Sequence, residues 1–339
     1  MNDQENSEKK ENNHSKKKKI AWAGFFTGIL VLLIVVSRTG LETISDAISQ
    51  GGFALLLLAF IYPVELLPRT IAWKLVYPGL LFPIKKYFVL IMWYGQSVNR
   101  LLPTATIGGD VVRGRMLFLK GEDKTDVVSS LIADKTSHAL SILVLLIIGI
   151  LLIAFRIQDL KIILGLAVSA LILAIGIFYF IKIQKSSGVS KFVRKWGGNK
   201  NGLLSDTPEA IEKIEQTLSD IYEKPGRLTL SVLVRVLFHV ALAFEIWFAA
   251  WLMGYDISAM EAITLRVVSF GVRSLAFFVW GGLGVQEGAY ALLSAFAGLA
   301  PGTLIAISLA TRVRELVVAM PGVAFWMVGE GLQALKKEK

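Results

Sequence analysis

Asn99-Arg100-Leu101-Leu102-Pro103-Thr104-Ala105-Thr106-Ile107-Gly108-Gly109-Asp110-Val111-Val112-Arg113 is the stretch on which the architecture turns. The apolar run Tyr87–Leu102 leads into it, and a proline and paired glycines break that run ahead of Asp110 and Arg113. Basic residues flank it on both sides: Arg69, Lys74, Lys85 and Lys86 before, Arg113, Arg115, Lys120 and Lys124 after. Loops that stay in the cytoplasm collect Lys and Arg, so both flanks read as cytoplasmic, which a single crossing cannot satisfy. A re-entrant hairpin can: the chain enters, breaks at Pro103–Gly109 and returns. Such a break is tolerated only where it is buried in protein or lines a wet cavity.

Working outward, the 339 residues are 54% hydrophobic and 18% charged, with a mean hydropathy of +0.61. Soluble chains are about a quarter charged, and apolar runs of about 20 residues, each enough to cross a bilayer, recur from end to end. The composition predicts an all-α, polytopic membrane helical bundle of six to eight spans with re-entrant broken helices. With no cysteine, a disulfide scaffold and a cysteine-ligated zinc or iron–sulfur site are excluded. The excess of 36 Lys+Arg over 26 Asp+Glu fits positive loops facing the cytoplasm rather than a nucleic-acid partner.

Residues 1–19 are polar and low in complexity, and are expected to be a disordered basic cytoplasmic tail. Residues 20–330 form the transmembrane domain, and 331–339 a second basic cytoplasmic tail. The expected spans are Ile20–Val36 (a retained signal anchor), Gly51–Leu67, Val127–Phe155, Leu160–Ile183, Leu228–Gly254 and Thr303–Val328. Residues 262–300 fit either two crossings or a hairpin from the far side. The polar segment 184–227, expected in the cytoplasm, carries Ile211, Ile214, Leu218 and Ile221 at helical spacing, which predicts an amphipathic helix lying on the membrane or on the protein. Both termini are expected in the cytoplasm, in a multi-pass protein of the cell membrane.

The order apolar helix, Gly-Gly break, acidic residue, charged span occurs twice. Gly108-Gly109-Asp110 is followed by Asp134-Lys135, and Gly281-Gly282-Leu283-Gly284-Val285-Gln286-Glu287 by Thr311-Arg312. The two copies point in opposite directions, as in an inverted repeat, and such repeats with broken helices build sites in many secondary transporters. Charge inside the apolar runs costs about 2.5–3.5 kcal/mol per group at a helix centre, yet this chain places Glu65, Arg100, Asp110, Asp134, Lys135, His138, Arg235, His239, Glu245, Arg266, Arg273, Glu287, Arg312, Arg314 and Glu315 there. Glu65–Arg69 and Arg314–Glu315 read as ion pairs that hold helices together. Asp134 with His138 and Arg235 with His239 share a helix face and are candidate proton or helix-pair sites.

The arginines exceed obvious carboxylate partners, and a guanidinium matches phosphate bidentately while staying charged. Arg100, Asp110, Arg113, Arg266, Arg273, Glu287 and Arg312 are therefore the candidate residues for binding a phosphate-like anion, a lipid headgroup if the family resemblance given next holds, with Asp110 and Glu287 as gates or counter-ions. Pro103, Gly108, Gly109, Gly281, Gly282 and Gly284 form the broken-helix backbone, whose free N–H groups offer a second anion device. His138 and His239 are too few for a metal centre, and no Walker A, G-x-S-x-G or Rossmann turn occurs. No cofactor, metal or catalytic residue is expected.

The paired motifs, Asn99-Arg100-Leu101-Leu102-Pro103 with Gly108-Gly109-Asp110-Val111-Val112-Arg113 and Gly281-Gly282-Leu283-Gly284-Val285-Gln286-Glu287-Gly288, resemble the lysylphosphatidylglycerol synthase transmembrane region family of flippase-like membrane proteins, over roughly residues 20–330. Trp280 stands where many relatives have proline. The resemblance implies lipid translocation, in full-length relatives of aminoacylated phosphatidylglycerol, aiding resistance to cationic antimicrobial peptides. It implies a membrane phospholipid or lipid-linked substrate as partner, with a separate synthetase partner and a homo-oligomer both open. With the chain stopping at Lys339, the soluble lysyltransferase domain is expected to be missing and the protein to be a transporter rather than an enzyme. The alternative is a membrane-embedded transferase or its accessory subunit.

Overall fold

The computed structural model describes residue 46 and the ranges 49–79, 84–102, 107–156, 160–185, 208–276, 279 and 282–337. The Ile20–Val36 run, Pro103, Trp280 and Gly281 lie outside the described residues. A 3-10 segment, Gly52–Ile61, continues as α1 (Tyr62–Leu75). It is followed by α2 (Lys86–Leu101), α3 (Gly108–Leu119), α4 (Lys124–Arg156), α5 (Leu160–Lys185) and α6 (Pro208–Tyr222). The second half holds α7 (Pro225–Ala241), α8 (Ala243–Leu252), α9 (Ala259–Leu275), α10 (Val285–Leu292) and α11 (Pro301–Lys337). No strand occurs among the described residues. Ser49–Leu75, Lys124–Phe155, Ile163–Gln184 and Pro225–Leu252 are long and apolar enough to cross a membrane, where four of the expected spans fall.

Length decides the two breaks. At 1.5 Å per residue, the 12 residues of α3 reach about 18 Å and the 8 of α10 about 12 Å, against an apolar core of about 30 Å. Each is therefore too short to cross on its own, which fits a hairpin rather than two crossings for residues 262–300. The first hairpin closes because α2 and α3 touch backbone to backbone: a Cβ on Gly109 would stand 2.0 Å from the Gly95 carbonyl oxygen. Only glycine permits that approach. Asn99, at the end of α2, then accepts the Gly109 N–H at 2.7 Å through Oδ1, capping the resumed helix. In the second hairpin Ser258 and Glu261 form a reciprocal capping box at the start of α9.

The two halves form an inverted repeat. Gly108 and Lys124, which open α3 and α4, lie 177 residues before Val285 and Pro301, which open α10 and α11 (285 − 108 and 301 − 124). Leu75 and Leu252, which close the first span of each half, keep the same spacing. Packing follows the symmetry. α2 packs on α11 and α9 on α4, while α1 packs on α7 across the centre. The direction is inverted, because α1 runs toward the end where α4 and α7 begin. There Trp73 Nε1 donates to Ser130 Oγ at 3.2 Å and Ser231 Oγ to the Ala72 carbonyl at 2.7 Å.

Each end has its own apolar core, and the two cores exchange under the repeat. Leu66, Trp73, Val76, Phe88, Ile91, Met116, Val127 and Ala133 lie in one, and their counterparts at the same spacing, Ala243, Ala250, Met253, Leu265, Val268, Leu293, Leu304 and Ala310, in the other. Helices α5 and α6 stand outside the repeat. The apolar stripe of α6 (Ile211, Ile214, Leu218, Ile221) is buried against the start of α4, so of the two surfaces left open for it the protein is the one it covers.

The turn between α3 and α4 is tied down by Glu122. Its carboxylate accepts hydrogen bonds from the Tyr87 hydroxyl, from Tyr77 at 3.2 Å and from Lys85 Nζ at 3.4 Å. Burial pushes this carboxyl up, but those hydrogen bonds and the Lys85 charge outweigh burial and hold it below the usual range. A lowered folded value means the contribution is present above the unfolded carboxyl's pKa of about 4.3 and is lost as pH falls through the folded value. Glu122→Gln should therefore flatten the acid-side decline of Tm below about pH 5 in detergent. An unchanged Tm–pH curve would show that the cluster contributes nothing.

Candidate functional site

Between the two apolar cores lies a layer of buried charge. Its first network centres on Glu65 of α1, which is 1% exposed. Its carboxylate accepts from Arg100 of α2 and from Arg314 Nη1 of α11 at 2.5 Å, with Arg69 Nη2 at 3.1 Å. Arg314 also grips Glu245 of α8 with Nε and Nη2 at 2.8 and 2.7 Å, the forked geometry of the strongest ion pairs. Glu315 accepts from both terminal nitrogens of Arg273 at 3.2 and 3.3 Å, with Arg100 Nε 4.0 Å away. Arg273 donates further to Gln286 Oε1 at 2.7 Å. Gln286 Nε2 in turn donates to Ser308 Oγ, and Ser308 donates to Glu287 Oε1 at 3.1 Å. Arg312 closes the chain, donating to both Glu287 oxygens at 2.5 and 3.2 Å and to the Gly282 carbonyl at 2.9 Å.

The second network centres on Asp134 of α4. It accepts from Arg113 Nη1 at 2.9 Å and from Arg235 Nη2. Arg113 also donates to Asp110, whose other oxygen lies 2.7 Å from Lys135 Nζ, and its guanidinium sits 4.6 Å from the Trp73 ring centroid. The repeat is visible in this chemistry. Asp110 with Lys135 and Glu287 with Arg312 each join the first turn of a short hairpin arm to the long helix that follows, across the same 25-residue spacing.

Several sequence expectations change here. Arg314 and Glu315 do not pair with each other. Neighbours on a helix point about 100° apart, so Arg314 reaches Glu65 and Glu245 while Glu315 reaches Arg273 and Arg100. Two of the helix-start N–H groups are taken within the protein: Asn99 takes that of Gly109, and Glu287 Oε2 takes that of Gly284 at 2.8 Å. Asp110 and Glu287 sit as counter-ions. Of the candidate headgroup arginines, Arg100, Arg113, Arg273 and Arg312 each hold a carboxylate, and Arg266 meets His239 Nδ1 at 3.5 Å. Asp134 turns to arginines rather than to His138. The hub residues Glu65, Glu245, Arg314 and Glu315 were not among the headgroup candidates. Glu65 and Arg314 are 249 residues apart, and no local spacing announces such a pair.

The guanidinium groups of Arg69, Arg100, Arg113, Arg235, Arg266, Arg273, Arg312 and Arg314 outnumber the carboxylates they meet, Glu65, Asp110, Asp134, Glu245, Glu287 and Glu315. Arg69 Nε, Arg100 Nη1, Arg266 Nε and His138 Nδ1 are buried without a hydrogen-bond partner. Leaving a buried donor unmade costs about 1–3 kcal/mol. Among the described residues no group of three His, Cys, Asp or Glu is placed to hold a metal.

Two inverted hairpin repeats with a layer of buried charge between them define a polytopic helical membrane protein of the re-entrant-hairpin type. The model of the lysylphosphatidylglycerol synthase TM region family matches residues 21–322, and the chain belongs to that family. It is 22% identical over 321 residues, 89% of this chain and 90% of the other, to a UPF0104 membrane protein of Methanothermobacter thermautotrophicus. No solved structure matches.

Proposed function

We propose that the protein moves a phosphate-bearing lipid, aminoacylated or not, between the leaflets of the cell membrane, with both termini on the cytoplasmic side. One observation carries this reading: an excess of buried guanidinium groups where two inverted, broken-helix repeats meet. Inverted repeats supply two packings related by symmetry, which is what alternating access requires. In this mechanism the headgroup phosphate competes with Glu315 and Glu287 for the forks of Arg273 and Arg312, whose side chains keep 24% and 12% of their exposure. The carboxylates neutralise the cations while the site is empty and release them to substrate, and the acyl chains remain in lipid. Resistance to cationic peptides would follow if the cargo is an aminoacylated phosphatidylglycerol.

The test is leaflet exchange of fluorescent phosphatidylglycerol and lysylphosphatidylglycerol in liposomes holding the purified protein. Exchange should accelerate with the wild-type chain. Arg273→Gln should slow it about tenfold, the effect of one lost charge-assisted contact, with thermal unfolding confirming that the variant is folded. Exchange at the protein-free rate for every anionic or aminoacylated lipid, or a folded Arg273→Gln variant at full speed, would overturn the reading.

A further inference from the structure

One part of the charged layer lacks the carboxylate that the repeat leads one to expect. His138 of α4 and His239 of α7 are related by the 177-residue spacing to Glu315 of α11 and Tyr62 of α1 (315 − 138 and 239 − 62). On the Glu315 side the anion is built in, and Glu315 neutralises Arg273 and approaches Arg100. On the His138 side the same helix position carries an imidazole instead. The cations nevertheless gather there. His239 stacks on the Phe270 ring at 3.8 Å between centroids, His138 lies 6.2 Å from that ring, and the Arg266 guanidinium 5.7 Å from it. Arg69 sits 5.3 Å from the Phe238 ring, which is itself 5.0 Å from His239. Four helices, α1, α4, α7 and α9, thus bring Arg69, His138, His239 and Arg266 around the Phe270 and Phe238 rings, which flank His239.

Three of these side chains carry a buried nitrogen that nothing satisfies: the donors Arg69 Nε and Arg266 Nε, and the ring nitrogen His138 Nδ1. The one hydrogen bond seen for Arg266 runs to the ring nitrogen of His239, at a length where it is weak, and its nearest carboxylate by charge, Glu245, is held in the fork of Arg314. Arg69 shares Glu65 with two other arginines. His138, Arg266 and Phe270 are half-buried as whole residues, while the unsatisfied nitrogens themselves are buried.

We infer that Arg69, Arg266, His138 and His239 form a binding site for one phosphate group, beside the helix position that carries Glu315 in the other half. A tetrahedral oxyanion offers acceptors in several directions, as donors arriving from four helices require. A planar carboxylate offers two oxygens in one plane. Two guanidinium groups fix the charge, and the imidazoles add N–H donors without needing to be protonated. That the site binds phosphate stands on these contacts, whereas its use for a lipid phosphate rests on the translocation reading above.

His138→Glu installs the carboxylate of the symmetry mate and should occupy the site from within. The variant is expected to keep or raise the wild-type Tm while binding inorganic phosphate at least about tenfold more weakly, the loss of one charge-assisted contact. Arg266→Gln, which removes a half-buried, incompletely paired cation, should show the same loss and provides a second folded comparison. Full-length protein in detergent is titrated with inorganic phosphate in one arm. In the other it is mixed with phosphatidylglycerol or with diacylglycerol, which lacks the phosphate, and read by native mass spectrometry. Weaker binding in both variants, to free phosphate, to phosphatidylglycerol or to both, supports the site and identifies its source. No phosphate-dependent binding to the wild type, or equal affinity in a folded variant, overturns it. If His138→Glu loses phosphate yet exchanges lipid at the wild-type rate, the site is not on the lipid's path and the translocation reading survives. If the wild type binds phosphate here but moves no lipid, translocation falls and the site remains.

Discussion

Replacing Glu65 by alanine should cost more stability than any other single side-chain deletion in the protein. Glu65 is almost fully buried and receives three arginines from three helices, Arg69 on its own α1, Arg100 on α2 and Arg314 on α11. Removing one partner of a buried ion pair costs about 3–5 kcal/mol, because the other charge is stranded without water. Here three charges lose their common acceptor, and only Arg314 and Arg100 have another carboxylate nearby, Glu245 and Glu315 respectively. The expected loss is at the upper end of that range, about 5 kcal/mol, seen as a large drop in Tm or in the monodisperse yield from detergent. Glu65→Gln keeps one acceptor oxygen and should fall between. Glu209→Ala on the exposed face of α6 serves as control, with an effect within about 0.5 kcal/mol. An alanine variant that melts with the wild type would mean that the hub contributes no net stability.

The hairpin at Asn99–Arg113 was legible because its evidence is local: an apolar run, a break, and basic residues on both flanks. The repeat was legible for the same reason, since each copy advertises itself within about ten residues. What the sequence concealed is which charge meets which. Arg314 and Glu315 are adjacent in the chain and look paired, yet helix geometry turns them to different neighbours. The partners of Arg314, Glu65 and Glu245, come from two other helices. Every such pairing is set by packing between helices whose relative rotation no short window encodes.

The sequence also overstated how open the helix starts would be. Glycines at Gly108–Gly109 and Gly284 suggested bare N–H groups, but Asn99 and Glu287, both already present in the quoted motifs, consume those of Gly109 and Gly284. A helix start inside a bilayer cannot leave donors waiting for a ligand that is sometimes absent, because water is not there to satisfy them. Of the buried polar groups left without a partner, Arg69 Nε, Arg100 Nη1 and Arg266 Nε are on arginines, whose flexible side chains can trade partners, and the others are His138 Nδ1, the Tyr62 and Ser97 hydroxyls and Trp326 Nε1. That shifts the candidate chemistry from the hairpin backbone to the guanidinium groups between the repeats.

Gly109→Ala tests whether the hairpin's close contact is what aims that chemistry. The added Cβ would lie 2.0 Å from the Gly95 carbonyl oxygen and 2.6 Å from the Asn99 side chain. A side chain could rotate away, but a helix carbonyl cannot move without moving α2. Overpacking of this kind costs about 1–3 kcal/mol and more where backbone must shift, so a loss of at least about 3 kcal/mol is expected. Asp110 follows directly in the chain, so the same displacement opens its contacts with Arg113 and Lys135, and lipid exchange should fall together with Tm. Gly176→Ala in α5 meets nothing within 4 Å and should instead stabilise by about 0.5–1 kcal/mol through helix propensity. A Cβ on Gly95 would meet the Gly109 carbonyl oxygen at 2.7 Å. Gly95→Ala and Gly109→Ala therefore separate one and the same pair of helices, and their double variant should cost less than the two costs added. Full additivity in that double-mutant cycle would mean that each glycine is needed for a separate reason, and the shared backbone contact would not be what holds α3 in place.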